Sequence, residues 1–303
     1  MSGPIGVAVR RETTHQTLAR ARARAALIPD ILVEAQRVAS NAFTGWHGRR
    51  KRGIGEDFWQ FRHYVAGENM SAIDWRRSAR DEHIYVRDRE WQAAHTVWLW
   101  VDESPSMLFK SRYAIVAKQS RALVIALALT ELLARAGERV GWLGLTRPIL
   151  SRQAAEKLGT ALLALPPQHR LPAPESVRNW SELVIFSDFL SEPETLRERL
   201  EPFAQNGARG HLIQIVDPVE ELFPYSGRIE FADPETGAKF TAGNAGTLES
   251  EYRELFRRHV DSVRKIANSL RWNHILHHTD KPASHALTNL HLLLTMAERG
   301  AAA

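Results

Sequence analysis

The stretch "TVWLWVDESPSMLF", residues 96–109, decides how this chain is read. Its first half, Thr96 to Val101, is a near-continuous apolar run of β-branched and aromatic residues, the pattern of a strand buried on both faces. Such a strand belongs to a parallel sheet covered by helices. The second half sets oxygen-bearing side chains at alternate positions, Asp102, Ser104 and Ser106. In doubly wound sheets ligands bind beyond the carboxyl ends of the strands, where the strand order reverses. Asp102 ends its strand at that rim.

Outward from this stretch, strands and helices alternate. A helix is expected over Tyr113 to Ala136, then a strand in "ERVGWLGL" (138–145) and a short helix in "AAEKLGTALLAL" (154–165). "ELVIFSD" (182–188) is a third strand, followed by a helix from Ser191 to Phe203 that starts on a capping box of Ser191 and Glu194. "GHLIQIVD" (210–217) is a fourth strand, and "GRIEFADPETGAKF" (227–240) a hairpin turning at residues 233–237. A helix from Leu248 to Leu270, a strand in "RWNHILHHT" (271–279) and a closing helix over Leu287 to Ala297 complete the pattern. The fold class is therefore α/β, a doubly wound and mostly parallel sheet of five or six strands.

Three regions follow. Residues 1–43 form an Arg-rich helical segment, with a helix over about Thr17 to Ser40. Residues 44–93 form a smaller basic Trp/Arg-rich subdomain, β-rich or irregular. Residues 94–303 form the α/β domain, with a hairpin insertion at about 226–242.

At 303 residues the chain can bury a sizeable core, and its 44% hydrophobic and 25% charged residues are ordinary for a globular protein. It has no cysteine, which excludes disulfides, thiolate metal sites and a cysteine nucleophile. The N-terminus lacks a signal-peptide pattern. The longest apolar run, Ala122 to Leu129, is too short for a bilayer, which takes about 20 residues. No transmembrane segment and a cytoplasmic location are expected. The net charge of +5 comes from residues 1–90, with 16 Lys/Arg against 11 Asp/Glu; residues 91–303 carry 24 of each.

A carboxylate with hydroxyls suits Mg²⁺ or Mn²⁺ better than zinc, which favours nitrogen and sulfur. Asp188, ending "ELVIFSD", offers a second carboxylate at the equivalent place on another strand. Thr160, after Gly159, offers a hydroxyl at the start of a helix, with Thr146 as a competing loop hydroxyl. Taken alone, Asp102 and the serines could equally be helix-cap and turn residues.

The set Asp102, Ser104, Ser106, Thr160 and Asp188 resembles the metal-ion-dependent adhesion site of von Willebrand factor A domains. The longer run "RRKRGIGEDFWQFRHYVAGENMSAIDWRRSAR" (49–80), leading into "VWLWVDESPSM", is similar to the bacterial domain-of-unknown-function fifty-eight family. That resemblance implies a von Willebrand factor A-like domain and a non-enzymatic protein-interaction role. It implies metal ligation (Mg²⁺, or Mn²⁺ or Ca²⁺) by those five residues, with a partner carboxylate as the last ligand. It also implies partnership with a MoxR-type AAA+ ATPase, or an acidic protein client, in assembly or maturation of complexes. Glu103 departs from the pattern, an extra acid that could strengthen cation binding or repel an acidic partner.

Arg62, Trp75, Arg76, Arg77 and Arg80 crowd together in the N-terminal third. Arginine forks pair with carboxylates and stack on tryptophan, so these residues can form an internally satisfied network or a basic platform for an acidic partner. Nucleic acid is not an expected partner, because no nucleic-acid module is recognisable. A metal-dependent phosphohydrolase is the enzymatic alternative. It lacks a second aspartate two residues after Asp102 and an obvious general acid. An anionic-surface binder through residues 1–90 is the other.

Overall fold

Strands that read as apolar runs come together in one sheet. The computed structural model of the chain describes residues 14–44, 58–65, 70–80, 82–89, 95–164, 166–168, 170–174, 177 and 181–301. In chain order the elements are α1 (Thr14–Thr44), β1 (Phe58–His63), α2 (Trp75–Ser78), β2 (Tyr85–Arg89), β3 (Thr96–Val101), α3 (Lys118–Ala136), β4 (Arg139–Trp142) and β5 (Thr146–Ile149). They continue with α4 (Ala154–Ala164), β6 (Glu182–Ser187), α5 (Pro193–Gln205), β7 (Arg209–Val216), α6 (Pro218–Leu222), β8 (Ile229–Ala232) and β9 (Lys239–Ala242). The last three are α7 (Glu249–Ser269), β10 (Asn273–His278) and α8 (Ala283–Ala301).

The six-stranded sheet runs β10-β7-β6-β3-β4-β5. Its first five strands are parallel, and β5 returns antiparallel to β4. From β3 the chain moves outward to β4 and β5, then crosses back to β6 and continues to β7. Strand order therefore reverses between β3 and β6, and the carboxyl ends of those two strands flank the crevice such a reversal creates.

Alternation along the strands divides the core. Val97, Leu99, Val101, Val184, Phe186, Ile213 and Ile215 face a layer that includes α1, α3, α4 and α8. Trp98, Trp100, Leu183, Ile185 and Leu212 face Leu196, Leu200 and Phe203 of α5 and Val263, Ile266 and Ala267 of α7. Helix α3 is buried almost all round because it lies between the sheet and other helices. Helix α1 buries Ile28, Ile31, Ala35, Val38, Ala39 and Ala42, a stripe at three- and four-residue spacing.

The chain divides into two compact units, residues 1–47 with 96–303, and residues 48–95. Helix α1 is thus part of the unit that holds the sheet. In the smaller unit, β1 and β2 pair antiparallel, with an irregularity between Phe58 and Gln60. Asp74 caps α2 by accepting from Arg77 N–H at 2.9 Å. Among the described residues no helix is long and apolar enough to cross a membrane.

Several boundaries correct the sequence reading. Helix α3 begins at Lys118 rather than Tyr113, because the backbone of Ala117 is extended, with ψ of 154°, and the helix starts after it. The Ser191–Glu194 capping box does not form; α5 starts after Glu192, with Pro193 in its first turn and no side-chain cap. A capping box exists instead at Asp217 and Glu220, opening α6. Thr146 is not in a loop but begins β5, where its hydroxyl accepts from Trp142 N–H at 3.2 Å.

Gly210 in β7 shows how tightly the α7 face is packed. A methyl group there would lie 1.9 Å from the indole of Trp272, which is buried and donates Nε1–H to the Ala208 carbonyl at 3.1 Å. Gly210→Ala is expected to cost about 3 kcal/mol, the upper end of overpacking effects. Urea unfolding measures it, and an unchanged midpoint would show that the ring shifts freely.

Candidate functional site

The site is built by the turns that follow β3, β6 and β7. Asp102 directly follows β3 and keeps the strand register, its N–H donating to the Phe186 carbonyl at 2.8 Å. One carboxylate oxygen, Oδ1, accepts from Ser104 N–H at 2.9 Å, and Oδ2 accepts from Ser187 Oγ at 2.7 Å. Ser187 in turn accepts from Phe189 N–H at 3.0 Å, so the ends of β3 and β6 are joined through hydroxyl and carboxylate. Ser104 precedes the 3-10 turn without capping it. Its Oγ lies 3.1 Å from Ser106 Oγ. The two serines therefore converge on each other, while Asp102 alone serves the local turn.

Asp188 is buried beside Asp102, and its charge together with burial pushes the Asp102 carboxyl up to about 6, burial being the larger cause. Asp188 itself is not free. Its Oδ2 accepts from Lys118 Nζ at 2.9 Å, and Lys118 donates also to Glu220 Oε1 at 2.6 Å. Lys118 is fully buried at the start of α3. Burial alone would lower its pKa, but the charges of Asp188 and Glu220 outweigh it and hold the ammonium charged. Glu220 reaches Lys118 because the capping box fixes it: its other oxygen accepts from Asp217 N–H at 2.8 Å. Asp217 accepts from Val219 N–H and from Ser111 N–H, pinning the loop between β3 and α3.

The turn after Asp188 carries backbone strain. Phe189 has φ of 53°, a left-handed conformation rare for a residue with a side chain. It is held there from both sides, its N–H on Ser187 and its carbonyl on the His259 ring at 2.8 Å. Strain of this kind clusters at functional sites.

One more carboxylate arrives from a distance. Glu235, at the tip of the β8–β9 hairpin, accepts from Ser106 N–H at 3.0 Å. Exposed apolar side chains follow three strand ends: Leu108, Phe109, Tyr113 and Ile115 after β3, Leu190 after β6, and Leu222 after β7.

Of the five metal-ligand candidates, Asp102, Ser104, Ser106 and Asp188 are brought to this rim, and Thr160 is not. It sits in the second turn of α4, exposed, with its hydroxyl donating to the Glu156 carbonyl at 2.9 Å. Glu103 is not a partner-facing acid either. It is 2% exposed, and Oε2 accepts from Gln168 N–H at 3.0 Å while its own N–H donates to the Gln168 carbonyl at 2.9 Å. That double bond pair ties residues 166–168 to the rim.

Trp75, Arg76, Arg77 and Arg80 are exposed on and just after α2, with Arg77 over the Tyr85 ring at 5.4 Å. Arg62 lies opposite Val86 in the β1–β2 pair, and its side chain falls outside the described residues. Lys118, Ser187, Glu220 and Glu235 were not singled out by the sequence. The only local signal among them is the serine directly before Asp188.

The donor set can be weighed against a divalent cation. Among the described residues no three His, Cys, Asp or Glu side chains group to hold a metal. Any metal here would depend on the hydroxyls. Asp102, Ser104 and Ser106 fit a hard cation: all are oxygen donors from one loop, and Asp102 carries a charge its surroundings disfavour. Asp188 gives Oδ2 to Lys118, while its Oδ1 accepts a long bond from Leu190 N–H at 3.4 Å.

The sequence pattern of the family described as "Protein of unknown function DUF58" matches residues 60–265. The chain is 28% identical over 207 residues to the uncharacterized proteins Mb1516 of Mycobacterium bovis and Rv1480 of Mycobacterium tuberculosis, a match over 61% of this chain. It spans 62% of the length of those relatives. Among solved structures it is similar to a conserved hypothetical protein, BatB, from Bacteroides thetaiotaomicron, with a TM-score of 0.41, 12% identity and coverage of 68% of this chain and 100% of that one. It is also similar to an aerotolerance-related membrane protein from Bacteroides fragilis, with a TM-score of 0.41, 14% identity and coverage of 65% and 98%.

Proposed function

We propose, for a chain that belongs to the DUF58 family, that the rim over β3 and β6 is a protein-recognition site of the von Willebrand factor A kind and not a reaction centre. Asp102, Ser104 and Ser106 would hold a cation of the Mg²⁺ type, with Asp188 adding negative field. When bound, the cation supplies a coordination position for a carboxylate oxygen from a partner protein. The observation that carries this reading is the convergence of the two serine hydroxyls, 3.1 Å apart, beside the half-buried Asp102 carboxylate at the point where strand order reverses.

Two further features support recognition over catalysis. Lys118 is the ammonium nearest the acids, and it is bonded to both Asp188 and Glu220, so it holds charge rather than delivering protons. The exposed apolar residues after β3, β6 and β7 suit a protein-binding surface, since a buried interface core is apolar and its rim polar. The partner class we assign is a MoxR-type AAA+ ATPase or an acidic protein client.

Affinity purification of wild type and Asp102→Ala, with and without Mg²⁺, tests the reading. Capture of the ATPase or client is expected only with Mg²⁺ and only by wild type. Equal capture by Asp102→Ala overturns it.

A further inference from the structure

We infer that Glu235, presented by the β8–β9 hairpin, is a carboxylate ligand supplied by the chain itself to the Asp102–Ser104–Ser106 site. The hairpin thereby closes the site until a partner's carboxylate displaces it. This rests on the cation-site reading above and adds a residue to it.

The hairpin tip is built to aim that side chain. Asp233 Oδ1 accepts from Glu235 N–H at 2.9 Å, and its Oδ2 accepts from the Thr236 hydroxyl. Those bonds hold the Asp233 carboxyl below its ordinary range. The Asp233 carbonyl accepts from Gly237 N–H at 2.8 Å, and Gly237 takes the left-handed conformation, with φ of 73°, that closes the turn. At its base the hairpin is anchored by a small apolar cluster in which Phe231 stacks on Phe223, and Phe223 on Tyr252 of α7. Its shape is therefore set independently of the rim it touches.

From this support Glu235 crosses 129 residues of sequence to place Oε1 at 3.0 Å from Ser106 N. Ser106 is the buried serine whose hydroxyl belongs to the proposed donor set. A carboxylate held on that backbone N–H keeps a second oxygen to offer beside the hydroxyls. A tethered ligand of this kind acts at an effective concentration in the millimolar range, so a partner's carboxylate must outcompete it. The hairpin then sets a threshold for binding and disfavours weakly acidic partners.

Titration of the full chain with Mn²⁺, followed by electron paramagnetic resonance, tests this with Asp102→Ala, Glu235→Ala and Glu235→Gln. Gln can still accept from Ser106 N–H but carries no charge. Asp102→Ala is expected to lose Mn²⁺ binding. Both Glu235 variants are expected to bind about tenfold more weakly, with acetate restoring affinity in the variants and not in wild type. If Glu235→Gln binds like wild type while Asp102→Ala is silent, Glu235 only tethers the loop. The proposal then fails and the cation site stands. If Asp102→Ala binds like wild type, both fail.

Discussion

Replacing Lys118 with methionine is expected to destabilise the larger unit by about 3–5 kcal/mol, the range for breaking a buried ion pair by removing one partner. The apolar replacement nearly keeps the volume of the lysine stem, so packing changes little. What it removes is the ammonium that holds Asp188 at 2.9 Å and Glu220 at 2.6 Å, with the lysine side chain 1% exposed. Two carboxylates would then face each other, and Asp102, without a counter-charge. Against a typical total stability of about 5–15 kcal/mol this is a large share. The pH dependence identifies the cause. Burial already holds the Glu220 carboxyl above its ordinary range, and losing Lys118 removes the charge that opposes this. That penalty is full at neutral pH and shrinks as pH falls toward about 4, where the unfolded chain's carboxylates also protonate. Urea unfolding of both proteins at neutral pH and near pH 4 should show the gap closing. A constant gap would mean packing rather than charge, and no gap would mean that the pairs contribute nothing.

How much of this was readable beforehand follows from where each signal resides. Strand β3 and its Asp102–Ser104–Ser106 exit were legible because both burial and spacing are local: consecutive apolar residues, then oxygens at every second position. The sheet's strands and the β8–β9 hairpin follow from similarly local patterns, whereas the strand order, and with it the reversal between β3 and β6, is set by long-range pairing. Thr160 failed because Gly159 looks like a break that starts a helix. It is a contact glycine inside α4, where a Cβ would lie 2.9 Å from Leu32 of α1. Lys118 was invisible as a site residue because a lysine beside an apolar helix reads as a solvated flank. Its partners lie 70 and 102 residues away. Glu235 lies further still from Ser106, and hairpin tips usually face water. The antiparallel return of β5 escaped because Thr146 and the proline at 148 made its four residues look like a loop. Glu103 reads as an extra acid for a cation or against an acidic partner, since nothing local shows that Gln168 bonds it twice.

The second large effect runs opposite to ordinary mutational damage: Asp102→Asn is expected to stabilise the metal-free protein at neutral pH. The folded-state carboxyl is raised from 3.8 to about 6, chiefly by burial and then by Asp188. The sign is fixed by that direction. Below about pH 4 the group is protonated in both states and costs nothing. Between about 4 and 6 the unfolded chain releases its proton first, so stability falls as pH rises. Above 6 the full cost applies, about 3 kcal/mol for a shift of this size. Asparagine nearly keeps the shape and cannot ionise: its oxygen can accept from Ser104 N–H and its amide can donate to Ser187 Oγ, whose own proton then loses its acceptor, which offsets part of the gain. The variant should therefore gain up to about 3 kcal/mol at neutral pH and lose the wild type's decline between pH 4 and 6. Mg²⁺ should reverse the order. A cation that binds only the folded carboxylate stabilises wild type by mass action and leaves Asp102→Asn unchanged. Thermal melts across pH, with and without Mg²⁺, separate the cases. A variant less stable at neutral pH would make Asp102 a structural residue of the β3 turn. The expected result would make it a charge kept at the expense of stability, which is what selection for a binding function leaves behind.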